Sequence, residues 1–161
     1  MDVRVESQSA DETWPGGDAV EAVTTLARRK LAAVGPQELP VVVADTVVVL
    51  ENTPLGKPAS REDAVATLRA LSGKRHEVLT GVGLRVGDRE RAFCVSTSVW
   101  FRGVSEEEIE RYVDSGECFD KAGSYGIQSG GAVLVDRVEG SYTNVVGLPL
   151  KETIEALEAM L

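Results

Sequence analysis

The sequence predicts an α/β fold in a single domain spanning residues 1–161, and three observations carry that reading. Segments with apolar residues at helical spacing alternate with segments rich in β-branched residues. The 161 residues hold 43% apolar and 27% charged side chains, a globular balance rather than a disordered one. A chain of this length buries roughly two-thirds of its unfolded surface, so its core needs neither a disulfide nor a metal staple.

The N-terminal stretch Asp2–Trp14 is polar, with an alternating start at Val3 and Val5 that predicts a strand end running into a loop. Gly16-Gly17-Asp18 reads as a turn with Asp18 as N-cap. A helix is predicted over Ala19–Val34, with Val20, Val23, Ala27, Leu31 and Val34 at helical spacing, and Gly35-Pro36 stops it. Leu39–Leu50 is nearly continuous in apolar residues, as a strand covered on both faces requires. Glu51–Ala59 reads as a loop. Ser60 caps a helix to Leu71, with Asp63 three residues on, and Ser72-Gly73 ends it. His76–Val86 and Arg91–Phe101 read as strands joined at Gly87-Asp88. Ser105 caps Glu106–Asp114, whose first-turn glutamates suit the helix dipole. Gly116–Gly131 is a polar, glycine-rich stretch. Ala132–Val138 is strand-like, Glu139-Gly140-Ser141 a turn, and Pro149–Leu161 a closing amphipathic helix.

Lys plus Arg number 17 and Asp plus Glu 26, a formal charge of −9. That opposes broad binding to a nucleic acid polymer or an anionic membrane. It leaves room for a small phosphorylated ligand, because a few cations in a cleft, or a metal ion, can oppose the global field. Cys94 and Cys118 stand in no zinc-like spacing and form no disulfide framework, which suits a reduced cytoplasm. The apolar run at Leu39–Leu50 is broken by Asp45 and too short to span a bilayer, and the first residues carry no leader pattern. The expectation is a soluble, cytoplasmic protein.

Asp45 is the first chemical anomaly. A lone carboxylate within VVVADTVVVL is costly unless paired, hydrogen-bonded or metal-bound. It either ends the strand and caps a turn with Thr46, or sits at the carboxyl end of a central strand, where open α/β sheets bind ligands and where it could hold Mg²⁺ or polarise a water. Lys57 lies in Leu55-Gly56-Lys57-Pro58, where glycine permits close approach and proline stiffens the exit from the loop. It is a candidate for phosphate, although no Walker motif is present. His76 is the only histidine and a candidate general base, but no Ser or Cys nucleophile pattern accompanies it, which favours a structural role. The densest constellation is Asp120-Lys121-Ala122-Gly123-Ser124-Tyr125-Gly126-Ile127-Gln128. Lys121 supplies charge there, and Gln128 can pair with an amide-like base edge. A tight surface loop is the alternative. Asn144 either binds a ligand or ties its loop to the last helix.

In this order, VVVADTVVVLENTPLGKP, ALSGKRHEVLTGV, VSEEEIERYVDSGE, DKAGSYGIQ and GSYTNVVGLPL resemble the Maf family of nucleoside triphosphate pyrophosphatases, from about Val41 to Leu150. The resemblance implies a mixed, twisted central sheet flanked by helices, with two lobes around a cleft, and a homodimer. It implies attack of water on the α-phosphorus of a nucleoside triphosphate, whether noncanonical, modified or a canonical pyrimidine one, with help from Mg²⁺ or Mn²⁺, giving a monophosphate and pyrophosphate. The Ala-Asp-Thr and Tyr-Gly-Ile-Gln forms resemble the branch acting on dTTP and UTP. Asp45 matches the catalytic carboxylate and a metal ligand, Lys57 the lysine of the Gly-Lys-Pro element, and Gln128 the glutamine near the base or the metal-water network. Lys30 fits the lysine late in the first helix, and Glu12 the acidic residue after the first hairpin, a second metal ligand. Lys121 is a further cation for the phosphates.

One departure stands out. The family begins with a strand and a Ser-x-Ser-Pro-Arg-Arg loop that grips the triphosphate, and this sequence shows no such segment. The expectation is a shortened domain with an unpaired sheet edge, from a start assigned too far downstream or from a true loss. A noncatalytic remnant that binds nucleotide or a division-related partner is therefore the alternative function. A general metal-dependent phosphohydrolase is a third.

Overall fold

The computed structural model of the chain describes residues 3–7 and 9–161. Its elements are helix α1 (Ala19–Ala33), strands β1 (Val41–Leu50) and β2 (Thr53–Leu55), helix α2 (Arg61–Leu71), strands β3 (Arg75–Val86) and β4 (Arg89–Phe101), helix α3 (Glu106–Asp114), strand β5 (Val135–Glu139), and helices α4 (Tyr142–Val146) and α5 (Leu150–Glu158). Two 3₁₀ turns, Ala122–Ser124 and Gly130–Leu134, lie between α3 and β5. The strands form one sheet in the order β2-β1-β3-β4-β5. The class is the expected α/β, with helices flanking a central sheet. All its ladders among the described residues run antiparallel rather than mixed. β2 reverses the chain against β1, and β3 keeps that reversed direction after α2.

The helix starts are where short polar side chains can take orphan backbone N–H groups. Asp18 accepts from Glu21 N, Ser60 from Asp63 N, and Ser105 and Glu108 form a reciprocal capping box. Alternation along β1 then sorts the core. Val47 and Val49 pack with Leu79 and with Val23 of α1 on one face of the sheet. Val48 and Leu50 join the larger core built with α2, α3 and the turns that come after α3. Ala156 and Met160 cover Val82 and Leu84 at the end of the molecule where α5 packs.

Several expectations change. Val3 and Val5 form no strand; they are 76% and 89% exposed, with no neighbouring strand among the described residues to take their hydrogen bonds. Asp2 and Gln8, within the same predicted segment, lie outside the described residues. The loop after β1 contains β2, which pairs only with Val48–Leu50. Ala132–Leu134 closes a 3₁₀ turn that begins at Gly130, so β5 starts at Val135. Outside β2, the outer side of β1 from Val41 to Val47 has no partner strand among the described residues.

Candidate functional site

Asp45 stands in the middle of β1, fifth of its ten residues and opposite Gly81 of β3. It neither ends the strand and caps a turn with Thr46 nor sits at the strand's carboxyl end, the two placements its sequence context suggested, because the valine run carries the strand on to Leu50. What makes a carboxylate tolerable there is Lys30, one turn from the end of α1. Its Nζ lies 3.2 Å from Asp45 Oδ2 and 3.1 Å from Glu12 Oε1, and it donates to the Ala44 carbonyl at 3.3 Å. Asp45 and Lys30 are both mostly buried, with side chains 20% and 25% exposed. Burial opposes the lysine's charge, but Asp45 and Glu12 outweigh it, and its pKa is raised.

Glycine explains how α1 comes this close. A Cβ on Gly81 would lie 2.3 Å from the Val23 carbonyl oxygen, and one on Gly83 would lie 3.1 Å from that of Ala27. The α1 backbone therefore rests directly on β3, which aims Lys30 across the sheet at β1.

The opposite wall comes from two loops held together. Gly123 donates its N–H to the Gly56 carbonyl at 3.1 Å, joining the Lys57 loop to the Lys121 loop. Gly123 has φ +71° and packs so tightly on Val48 that a Cβ would come within 2.6 Å of it. Ser124 comes next with φ +63°, an uncommon conformation for a residue with a side chain. Lys121 Nζ bonds Asp120 Oδ1 at 2.8 Å and the Glu117 carbonyl at 3.2 Å. The hydrogen bond from Lys121 holds the Asp120 carboxyl below its ordinary pKa, with the charge of Lys57 a lesser influence. Lys57 itself has no ion pair among the described residues.

Between these walls is a cleft of about 830 Å³, lined by all of Glu12, Lys30, Asp45, Lys57, Lys121 and Gln128. Its charged lining among the described residues is completed by Asp120, so three lysines face three carboxylates. Thr46, Tyr125 and Gly147 also line it. Thr46 Oγ1 lies 2.9 Å from Thr80 Oγ1 and donates to the Gly147 carbonyl at 3.4 Å, which ties the cleft floor to the segment after α4.

Glu12 and Asp45 share one ammonium, so their oxygens lie within two hydrogen-bond lengths of each other. No group of three metal-ligating side chains converges among the described residues. The donor set does not make a closed cage. Two carboxylates are within the number that a hard cation such as Mg²⁺ takes when water and phosphate supply its other ligands, and here both are turned to the Lys30 ammonium.

Two sequence candidates fall elsewhere. His76 is 1% exposed, is absent from the cleft lining, and has its pKa pushed down to about 4 by burial and by the charge of Arg75. Asn144 is fully buried; its Nδ2 bonds the Val78 and Val95 carbonyls and Thr97 Oγ1, so it ties α4 to the sheet rather than binding a ligand. The residues that pin the Gln128 loop were not foreseen. Tyr112 of α3 takes the Gly126 N–H at 3.0 Å, and Glu117 takes the Ser129 hydroxyl and the Gly130 N–H. Gly81 and Gly83 were not foreseen either, although glycines inside a strand pattern are a signal of close backbone approach that could have found them.

Comparison with known proteins gives a consistent result. The family model described as Maf-like protein matches residues 1–160. A protein of Chromobacterium violaceum is 42% identical over 157 residues, covering 93% of this chain and 79% of its own length. One of Bacillus velezensis is 44% identical over 140 residues, covering 86% and 74%. One of Carboxydothermus hydrogenoformans is 48% identical over 135 residues, covering 81% and 73%. Each of these relatives is named dTTP/UTP pyrophosphatase.

Proposed function

The chain belongs to the Maf family, and from that premise we infer that it is a nucleoside triphosphate pyrophosphatase acting on dTTP and UTP. The observation that carries the reading is the single cleft in which Asp45, the lysines and Gln128 meet from distant parts of the chain. Water attacks the α-phosphorus; a P–O bond forms to it, the bond to the α,β-bridging oxygen breaks, and pyrophosphate leaves. Asp45, ion-paired with Lys30 in the cleft, is the catalytic carboxylate of this reading and takes the water's proton. Lys57 and Lys121 meet the phosphate oxygens, and Lys30 supplies charge beside Asp45. Gln128 offers one acceptor and one amide donor group to the carbonyl and N3–H edge shared by uracil and thymine.

A divalent cation, Mg²⁺ or Mn²⁺, belongs to this reading. With three lysines matched by three carboxylates, the cleft has no surplus positive charge of its own for a triphosphate. Glu12 and Asp45 would hold the ion, which would offset phosphate charge and polarise a phosphoryl oxygen. No helix among the described residues is long and apolar enough to cross a membrane. The reading extends to a cytoplasmic homodimer, for which the exposed Leu150 and Ile154, one turn apart on α5, offer an apolar contact.

The test is turnover of dTTP and UTP with Mn²⁺ or Mg²⁺, products separated by anion exchange. The expected result is monophosphate and pyrophosphate in equal amounts, with Asp45→Ala slower by about 10²-fold or more. Orthophosphate release, or tight nucleotide binding with no turnover at any metal concentration, would overturn it; the second result would support a noncatalytic binding role.

A further inference from the structure

The buried histidine has a place in this site although it never touches the cleft. His76 Nε2 lies 2.7 Å from the Tyr125 hydroxyl, and both residues are buried. The two rings meet edge to face at 5.5 Å, and Phe101 closes the cluster at 5.0 Å from His76 and 4.7 Å from Tyr125. Tyr125 is where the core meets the site: its hydroxyl is in the cluster, and the residue also lines the cleft. Gly126, Ile127 and Gln128 come directly after it and line the same cleft.

An imidazole is a poor choice for this position on packing grounds alone. His76 Nδ1 is buried with no hydrogen-bond partner among the described residues. An orphaned buried nitrogen costs stability that a phenylalanine or leucine would not. Burial and Arg75 keep the ring neutral, so one nitrogen carries a proton and the other a lone pair. Whichever tautomer is present, one bond to Tyr125 is what the position receives in return.

We propose that His76 is a positioning residue for the nucleotide site, fixing the Gln128 segment through its hydrogen bond to Tyr125. The proposal rests on the pyrophosphatase reading for what the segment binds. His76 acts from β3, while Tyr112 holds the next residue, Gly126, from α3. Glu117 holds Ser129 and Gly130 on the far side of Gln128. Gln128 is exposed between these anchors, so its backbone is set by its neighbours and not by burial of its own. Loss of the His76 anchor frees one end of the span.

The test compares Tyr125→Phe, His76→Leu and His76→Gln with the wild-type chain by two readouts. The first is hydrogen exchange of the ligand-free protein. Amides of residues 126–129 are expected to exchange at least about fivefold faster in Tyr125→Phe and His76→Leu, with β3 and β4 core amides as in wild type. The second is steady-state hydrolysis of dTTP. Here KM is expected to rise about three- to tenfold, the size of one hydrogen bond, with kcat within about twofold. His76→Gln, which can still reach the hydroxyl, recovers part of both effects. The double variant Tyr125→Phe with His76→Leu loses no more than either single change. Wild-type exchange at 126–129 with unchanged KM overturns the proposal even if the variants melt earlier, because a purely structural role moves melting alone. A wild-type chain that releases no pyrophosphate defeats the functional reading instead, and the exchange data then decide the role of His76 by themselves.

Discussion

Burial and ion pairing act on opposite sides of the Lys30 titration, and the pairing prevails because two carboxylates converge on one ammonium. Lys57 is in a different position: exposed, with no ion pair among the described residues, and on the rim of the same cleft. Its charge is available to a ligand without breaking an existing contact. Lys57→Ala should raise KM for dTTP about tenfold, in the range of one charge-assisted hydrogen bond, and leave the melting temperature unchanged. Steady-state kinetics beside a thermal melt checks both. His76 gives a pH signature. Its folded pKa of about 4 lies below the ordinary 6.5, so the unfolded chain binds the proton more readily between those values. The full benefit of a neutral, buried His76 is present above pH 6.5 and is lost as the pH falls towards 4. The loss amounts to roughly 3 kcal/mol. Urea titrations from pH 7 to 4 should show this decline, and His76→Phe should flatten it. An equal decline in that variant would assign the effect to other groups.

At the scale of elements, the approach of α1 to β3 sets the distance from Lys30 to Asp45. Gly81→Ala would place a methyl group 2.3 Å from the Val23 carbonyl oxygen, which backbone cannot yield cheaply. A loss of about 1–3 kcal/mol in urea unfolding is expected, together with reduced activity as Lys30 withdraws. A loss under about 0.5 kcal/mol would show that α1 is not seated as described. Gly81 and Gly83 were not expected to matter: glycines inside a strand pattern signal a close neighbour, but nothing in the sequence says which helix. That Asp45 needs a partner was legible, because a carboxylate among valines demands one, but its place in mid-strand was not. Helices α1, α2 and α3 were legible because their caps are local, whereas the short α4, also capped by a serine, was not expected. β2 was not, since three residues in a proline-containing loop form a strand only because β1 offers an edge. Val3 and Val5 failed for the converse reason: alternation without an adjacent strand to pair with stays unpaired. Tyr112 and Glu117 reach the Gln128 loop across the folded chain, and no sequence spacing encodes such contacts.

For the molecule as a whole, charge decides what the cleft can accept. The chain carries −9, and the cleft lining holds three lysines and three carboxylates, equal in number. A triphosphate therefore meets no net attraction unless a divalent cation comes with it. Calorimetric binding of a non-hydrolysable dTTP analogue should weaken at least about tenfold when Mg²⁺ is replaced by EDTA. The melting temperature of the nucleotide-free chain should not change with EDTA, because its core rests on apolar clusters and Glu12 and Asp45 are answered by Lys30. Metal-independent binding would place the phosphates against cations other than those described here. On the proposed function, this cleft delivers water to the α-phosphorus under the direction of Asp45. Hydrolysis of dTTP in ¹⁸O-labelled water, with mass spectrometry of both products, checks this. The label should appear in the monophosphate and not in the pyrophosphate, and Asp45→Asn should slow its appearance about 10²-fold or more. Label in the pyrophosphate or in orthophosphate, or an unchanged rate in Asp45→Asn, would contradict it.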